Sequence, residues 1–268
     1  MSVLAGTVWR MSLPLAGRTA VVTGVSRRRG IGFAVASRLA AMGASLAVHH
    51  HLPYDVAEYG SAEDLRDLLA ELRASLRGEA RLSDLPGDLN EAAAAEALIP
   101  RARDAMGHLD VLVCNHAHGG DAVSLDDLTA ASLDRHWAVN ARATLLLTKA
   151  FAAQHDGRKG GRVIWMTSGQ MLGPMGENLA YAVSKAALAG ATWSVADHLV
   201  GQGILLNTIN PGPVNTGYLD DAPAVLERFP QHRFGEPDDP ARLIAWLVSD
   251  EGEWVTGQVL NSEGGFRR

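Results

Sequence analysis

Short, almost wholly apolar runs alternate with longer stretches rich in alanine and leucine along most of this 268-residue chain. Alanine/leucine stretches of ten or more residues favour helices, whereas continuous short runs such as residues 111–113 are typical of strands buried on both faces. An alternating order of strands and helices indicates a parallel sheet with helices on both faces. We therefore expect a single α/β domain built on a doubly wound parallel sheet of about seven strands.

The same alternation predicts where each element lies. Strands are expected at residues 18–22, 44–49, 80–85, 109–114, 162–167, 204–209 and around 258–260, and helices at 30–42, 61–77, 91–106, 125–153, 179–200 and 241–248. Pro53 and Gly60 favour a loop over residues 50–60. Ser61 and Asn90 are suitable caps for the helices that follow them.

The boundaries of the domain are also predicted from the sequence. We expect residues 1–14 to be an N-terminal extension to a domain of residues 15–268. Because the segment that opens at Met11 could by itself begin such a domain, a misassigned start before Met11 is the alternative. The stretch 218–239 is rich in proline and aspartate, which favours a lid over a site.

Composition and charge narrow the class of function. The formal net charge is -6 and the arginines are scattered, so no basic surface for nucleic acid is expected. No apolar run approaches the roughly 20 residues that span a bilayer, and the N-terminal segment lacks the pattern of a secretion signal. A single cysteine, Cys114, excludes an intrachain disulfide framework and fits a reducing compartment. We expect a cytoplasmic protein without nucleic-acid or membrane partners, in which Cys114 is a small buried hydrophobe.

A glycine-rich turn lies between the first predicted strand and the first predicted helix. Its glycines let the backbone come close to a bound group, and the helix N-terminus beyond offers unpaired N–H groups at the positive end of the helix dipole. This arrangement suits the pyrophosphate of a dinucleotide. The residues of the turn that we expect to bind the cofactor are Gly24, Ser26, Arg27, Arg28, Arg29, Gly30, Ile31 and Gly32.

Charges near this turn distinguish between the two nicotinamide dinucleotides. NAD-binding proteins place an acid at the end of the second strand, whereas the 2′-phosphate of NADP(H) needs a cation. Here the second strand ends in His49, His50 and His51, and the three arginines of the turn would supply the positive charge. NADP(H) is therefore favoured over NAD(H), with His49 beside the cofactor. Adjacent side chains on a strand alternate between faces, so no metal site is expected from the histidine run.

Three polar residues in the second half of the chain have a recognisable spacing. Ser168 follows a predicted strand, and after twelve further residues come Tyr181 and Lys185, which lie one helical turn apart on one face. With the glycine turn, this pattern resembles the short-chain dehydrogenase/reductase family, in particular its 3-oxoacyl-reductase-like members, from Leu15 to Phe266. The resemblance implies a single-domain Rossmann fold.

The resemblance also implies catalytic roles. Tyr181 would protonate a carbonyl oxygen while hydride arrives from the nicotinamide, and would act as the base in the reverse direction. A free tyrosine has a pKa near 10, and the ammonium group of Lys185 would favour the tyrosinate. Ser168 would hydrogen-bond the substrate oxygen. Asn140 would hold a water that links Lys185 to solvent.

Further positions match cofactor contacts of the family. Asp88 would contact the adenine amino group, and Asn115 would steady the central strand beside the cofactor. His116 departs from the usual family residue and is expected to be a packing histidine. The positions matched after the third, fourth and sixth strands are Asp88, Leu89, Asn115, Ala117, Pro211, Gly212, Val214 and Thr216.

The glycine turn departs from the usual family pattern. Five residues stand between Gly24 and Gly30, where three are usual, and the longer spacing resembles the enoyl-reductase branch. That branch separates its tyrosine and lysine by six residues, whereas three stand between Tyr181 and Lys185. The second spacing favours carbonyl reduction.

We therefore expect an NADPH-dependent carbonyl (keto) reductase that acts on a small-molecule carbonyl or alcohol. An NAD-dependent alcohol or sugar dehydrogenase and a cofactor-sensing protein without turnover are the alternatives. The substrate pocket is expected between residues 118–121, 169–178 and 218–239. Association through the helices that carry Asn140 and Tyr181, as is usual in the family, implies a homotetramer or homodimer.

Overall fold

A seven-stranded parallel sheet forms the centre of the molecule. The computed structural model describes residues 13–120, 123–217, 219 and 223–268. The strands are β1 (Thr19–Val22), β2 (Ser45–His50), β3 (Leu82–Pro86), β4 (Val111–Cys114), β5 (Gly161–Met166), β6 (Ile204–Asn210) and β7 (Val259–Asn261). Across the sheet their order is β3-β2-β1-β4-β5-β6-β7, and each neighbouring pair is parallel. The predicted doubly wound parallel sheet is confirmed.

Nine α-helices accompany the strands in the described part of the chain. They are α1 (Ile31–Ala41), α2 (Leu52–Tyr59), α3 (Leu65–Ser75), α4 (Ala92–Met106), α5 (Ala130–His136), α6 (Ala143–Gln154), α7 (Leu179–Val200), α8 (Pro223–Leu226) and α9 (Asp238–Val248). A π-helical turn, Trp137–Arg142, joins α5 to α6. Among the described helices, none has both the length and the apolar character that crossing a membrane requires.

Helices cover both faces of the sheet because strand side chains point alternately to either side. On β1, Val22 belongs to the apolar cluster formed with α1, α3 and α9. Its neighbour Val21 belongs to the cluster formed with α4, α6 and α7. Cys114 lies in this second cluster and is buried, as expected of a small hydrophobe. Burial raises the pKa of its thiol.

The predicted loop over residues 50–60 is wrong, because α2 occupies most of it. Pro53 lies in the first turn of α2, where a missing N–H costs nothing. Gly60 ends the helix in a left-handed conformation, with φ of 77°. The two residues that favoured a loop are therefore the boundary residues of a short helix.

Two helix starts and one helix length also differ from prediction. The helix expected after Ser61 begins at Leu65 instead, because the Asp64 side chain accepts a hydrogen bond from the Arg66 backbone N–H. Asn90 is not a cap, since the residue at that position of α4 is Glu91. The single helix predicted over residues 125–153 begins only at Ala130 and is interrupted by the π turn.

The strand order places a crevice at the C-terminal ends of the strands. The chain crosses over between β3 and β4, so β1 and β4 are neighbours and their following loops diverge. Ligands of doubly wound sheets bind at such a switch point.

The predicted N-terminal extension lies outside the described residues, apart from its last two residues. Residues 121, 218 and 220–222 of the predicted pocket and lid lie outside them too.

Candidate active site

A cavity of about 650 Å³ opens at the C-terminal ends of β1, β4 and β5. Most of the residues predicted for the cofactor and the reaction line it together. They are Gly24, Ser26, Arg27, Gly30, Ile31, His49, Asp88, Leu89, Asn115, Ala117, Ser168, Tyr181, Lys185, Pro211, Gly212, Val214 and Thr216. Four others, Arg28, Arg29, Gly32 and Asn140, are not part of this lining.

The glycine turn is held against the loop after β4. The Asn115 side-chain amide donates hydrogen bonds to the carbonyl oxygens of Thr23 and Gly24, at 3.0 and 3.1 Å. Gly24 has φ of 73°, a conformation that favours glycine. A Cβ on Gly32 would lie 2.3 Å from the Gly24 carbonyl oxygen. Gly32 therefore supports the glycine turn by letting α1 begin against it, without lining the cavity itself.

His49 connects the end of β2 to two turns of the cavity wall. Its Nδ1 accepts a hydrogen bond from the Gly24 backbone N–H at 3.3 Å, and its Nε2 lies 2.9 Å from the Gly87 carbonyl oxygen. Both contacts require a neutral ring with the proton on Nε2. Burial lowers the pKa of His49 to about 4, partly offset by the Gly87 hydrogen bond. The ring is thus an uncharged part of the wall.

The three arginines of the turn do not all line the cavity. Arg27 lines the cavity, donates to the Thr216 carbonyl oxygen at 2.8 Å and stacks on the Tyr59 ring at 3.7 Å. Arg28 forms salt bridges with Glu63 and Glu71, at 2.7 and 2.5 Å. With Arg29 it lines a separate surface groove beside α1. Of the predicted phosphate-binding arginines, only Arg27 is brought to the described lining of the cavity.

The serine, tyrosine and lysine predicted from their spacing meet in the cavity. Ser168 follows β5, and α7 presents Tyr181 and Lys185 on one face. Lys185 is buried, its Nζ donates to the Met166 carbonyl oxygen at 2.9 Å, and it lies 5.7 Å from the centre of the Tyr181 ring. Burial lowers the pKa of Lys185 to about 8. A cation therefore lies beside the phenol at neutral pH.

Asn140 is buried in the π turn behind these residues. Its side-chain oxygen accepts from the His118 backbone N–H at 2.7 Å, and its Nδ2 donates to the His118 carbonyl at 3.0 Å and to Ser184 Oγ at 2.9 Å. Ser184 belongs to α7, between the tyrosine and the lysine. The Asn140 side chain thus ties the π turn to the loop after β4 and to α7, which carries Tyr181 and Lys185.

Several residues of the cavity were not anticipated from the sequence, and most belong to α2. Tyr54 accepts a hydrogen bond from the Gly119 backbone N–H at 3.0 Å, and burial raises its pKa to about 12. His118, from the segment 118–121 that was expected to border the substrate pocket, also lines the cavity, with its ring centre 5.6 Å from that of Tyr54. The unanticipated lining residues of α2 are Tyr54, Asp55, Glu58 and Tyr59. The signal for them was the spacing of Pro53 and Gly60, which is typical of a short capped helix.

His116 is buried and hydrogen-bonded within the wall. Its Nδ1 lies 2.7 Å from Thr23 Oγ1, and its Nε2 lies 3.0 Å from the Val139 carbonyl oxygen. Burial lowers the pKa of His116 to about 3. The residue links β1 to the π turn, in keeping with the packing role expected for it.

Comparison with known proteins agrees with this geometry. Residues 24–267 match the family model described as Enoyl-(Acyl carrier protein) reductase. The chain is 38% identical over 257 residues to the Uncharacterized oxidoreductase YjdA of Bacillus subtilis (strain 168), covering 94% of this chain and 97% of that protein. A short chain dehydrogenase from Burkholderia cenocepacia J2315, solved in complex with NADP, is 34% identical with a TM-score of 0.81, covering 94% and 98% of the two chains.

A second solved structure has the same architecture. It is a 3-oxoacyl (acyl-carrier-protein) reductase from Agrobacterium tumefaciens C58 with NADP bound, 32% identical with a TM-score of 0.81. The match covers 97% of this chain and 99% of that one. The likeness extends over nearly the whole chain in each comparison. The chain therefore belongs to the short-chain dehydrogenase/reductase family of oxidoreductases.

Proposed function

We propose that this protein is an NADP(H)-dependent carbonyl reductase in which Tyr181 gives a proton to the carbonyl oxygen. The observation that carries the proposal is that Tyr181, Lys185 and Ser168 line the same cavity as the glycine turn. A cavity shared in this way allows a nicotinamide ring and a carbonyl group to lie beside the phenol.

The chain supplies the proton and the charge stabilisation. With a pKa of about 8, Lys185 carries a positive charge at neutral pH, which favours the ionised form of Tyr181 and so makes its proton easier to give. The Ser168 hydroxyl hydrogen-bonds the substrate oxygen as negative charge develops on it. A nicotinamide bound in the cavity would supply the hydride. Carbon gains the hydride and oxygen gains the Tyr181 proton, which completes the alcohol.

Recovery of the Tyr181 proton needs a path to solvent. Asn140 is assigned the role that the family resemblance implies, which is to hold a water between Lys185 and the outside. The Asn140 side chain is already hydrogen-bonded to His118 and Ser184, and it fixes the π turn. The water would therefore be held by backbone groups of the π turn around Asn140.

The choice of NADP(H) rests on the Arg27 guanidinium in the cavity wall. A guanidinium is suited to a 2′-phosphate because it is always charged and presents several donors in one plane. Two similar solved proteins, from Burkholderia cenocepacia and Agrobacterium tumefaciens, contain NADP.

Replacing Tyr181 tests the assignment directly. Tyr181→Phe removes the proton donor while keeping the ring, so we predict that kcat with NADPH and a ketone substrate falls by about 10²–10⁴-fold. The dissociation constant for NADPH stays at its wild-type value, as measured by fluorescence titration. Tyr54→Phe is the matched control, since it removes another phenol of the same cavity. Wild-type turnover in Tyr181→Phe, or an equal loss in Tyr54→Phe, would contradict the proposal.

Binding and activity assays on the same purified proteins distinguish the proposed function from three others. Tighter binding of NADH than of NADPH, with oxidation of an alcohol or sugar, would favour an NAD-dependent dehydrogenase. Tight cofactor binding without turnover of a broad carbonyl panel would favour a sensing protein. Enoyl reduction is favoured by the matched family model and by the five residues between Gly24 and Gly30. Assaying a 3-oxoacyl thioester against a 2-enoyl thioester decides between the two reductions.

A further inference from the structure

Two histidines and an aspartate lie together at the edge of the sheet where the strands begin, opposite the cavity. His108 stands between α4 and β4, and His155 and Asp156 directly follow α6. One potential ligand atom from each of the three residues lies within 4.8 Å of the other two. A single ion between them can therefore contact all three, although β4, α5 and α6 separate the two histidines along the chain.

Each of the two imidazoles has a nitrogen available for a ligand. His108 Nε2 and His155 Nδ1 are buried and have no hydrogen-bond partner in the described part of the chain. The other nitrogen of His155, Nε2, lies 3.1 Å from the Arg158 carbonyl oxygen, to which it donates its proton. The lone pair of the ring is then on Nδ1. Histidines that bind metals commonly donate their second N–H to a carbonyl in this way, because the contact fixes the tautomer and the ring.

The charges around the two rings favour a cation. The Asp156 carboxylate is one negative charge, and Asp110, whose Oδ1 lies 3.4 Å from His108 Nε2, is a second. Arg158 forms a salt bridge of 2.5 Å with Asp156, which holds the carboxylate in place and also opposes a cation there. Two carboxylates against one guanidinium leave these groups with a net negative charge when the imidazoles are neutral.

The donor set and its surroundings suit zinc. Two imidazoles and a carboxylate are ligands that Zn²⁺ uses, with water completing a tetrahedron. Neighbouring ligand atoms around a tetrahedral zinc are about 3.4 Å apart. All three residues lie outside helices and strands, so small side-chain rotations can bring the atoms to that spacing. The Asp156 side chain is 51% exposed, which gives an ion a path from solvent to the covered nitrogens.

We propose that His108, His155 and Asp156 form a binding site for Zn²⁺, with water as the fourth ligand. The ion ties the turn before β4 to the end of α6 and so stabilises the fold. None of the three residues lines the cavity, so the site does not depend on the proposed function.

Calorimetric titration of the metal-free full chain with ZnCl₂ at neutral pH tests the site. Wild type binds one ion per chain with a dissociation constant of about 10 µM or less. His155→Gln removes a ligand and weakens binding by about 100-fold or more. His198→Gln, which changes an exposed histidine of α7, is the matched control and stays within about twofold of wild type. A large excess of Mg²⁺ leaves the zinc constant unchanged, since Mg²⁺ prefers oxygen ligands.

A second variant and a second measurement address the case in which His155→Gln does not fold. Asp156→Asn changes an exposed side chain, keeps both imidazoles and weakens zinc binding by about tenfold. Zinc raises the midpoint of thermal unfolding of wild type and of His198→Gln, and raises it less in Asp156→Asn. The proposal is overturned by absence of binding up to about 100 µM zinc, by a wild-type constant in either ligand variant, or by displacement of zinc with Mg²⁺.

Discussion

The His49 imidazole contacts two turns at once, and its protonation state decides whether both contacts are made. A neutral ring with its proton on Nε2 donates to Gly87 and accepts from the Gly24 N–H. Protonation places a second N–H on the ring, facing the Gly24 N–H, so the contact with the cofactor turn becomes repulsive. Acid is therefore expected to destabilise the cavity wall at this residue.

The folding stability should depend on pH through His49. Its pKa is lowered from 6.5 to about 4 in the folded protein, so the unfolded chain binds more protons between these values. The contribution of His49 to the free energy of unfolding is fully present above pH 6.5. It is lost as the pH decreases towards 4, by about 3 kcal/mol at 1.4 kcal/mol per pKa unit. We predict that His49→Gln loses less stability over this window than wild type, as measured by denaturant unfolding at pH 7 and pH 4.

The control for this prediction is His198→Gln, which changes an exposed histidine of α7. It is expected to keep the wild-type dependence on pH. If His49→Gln and wild type lost the same stability between pH 7 and pH 4, the neutral, buried state of His49 would be refuted.

Contacts between residues far apart in the chain explain why some residues predicted to line the cavity, such as Arg28, do not line it. The spacing of Ser168, Tyr181 and Lys185 is local to one strand end and one helix, and the structure brings all three to the cavity. The direction of Arg28 depends instead on Glu63 and Glu71, which lie 35 and 43 residues further along the chain. No local pattern distinguishes Arg27 from Arg28.

At the scale of elements, helix length determined how well the sequence could be interpreted. The 22 residues of α7 form about six turns that are rich in alanine and leucine, and the predicted bounds of 179–200 are confirmed. The 8 residues of α2 provide about two turns, too few for a periodic pattern to outweigh a proline and a glycine. Asp55 was missed for this reason, because the carboxylate reaches the cavity only when its segment is helical.

The close approach of α1 to the cofactor turn gives a prediction for that element. A Cβ at Gly32 would lie 2.3 Å from the Gly24 carbonyl oxygen and 2.6 Å from Asn115 Nδ2. Gly32→Ala therefore has to push the helix away from the turn, and we predict a loss of at least about 2 kcal/mol of unfolding free energy. Denaturant unfolding and NADPH titration measure the effects on stability and on the turn.

Gly190→Ala is the matched control, because it adds the same methyl group to α7 where no atom lies within 4 Å. Alanine has the higher helix propensity, so this variant should be stabilised by about 0.5–1 kcal/mol. Gly32→Ala with wild-type stability and wild-type NADPH affinity would show that α1 does not need this close contact.

At the scale of the whole molecule, several large apolar side chains are exposed on the surface. Trp137 of the π turn is 47% exposed and Val183 of α7 is 49% exposed, beside the helices expected to associate. Trp254, shortly before β7, is 96% exposed. Apolar side chains of this size are commonly covered when copies of a chain assemble.

We predict that the protein is a homotetramer or homodimer in solution, with α7 at one contact. Light scattering after size exclusion should give two or four times the 28.4 kDa chain mass. Val183→Asp places a charge in that contact, where it would be desolvated without a partner, so the variant should form a smaller species. Val56→Asp, an equally exposed change on α2, should keep the wild-type mass. A wild-type mass of one chain, or an unchanged assembly in Val183→Asp, would exclude this contact.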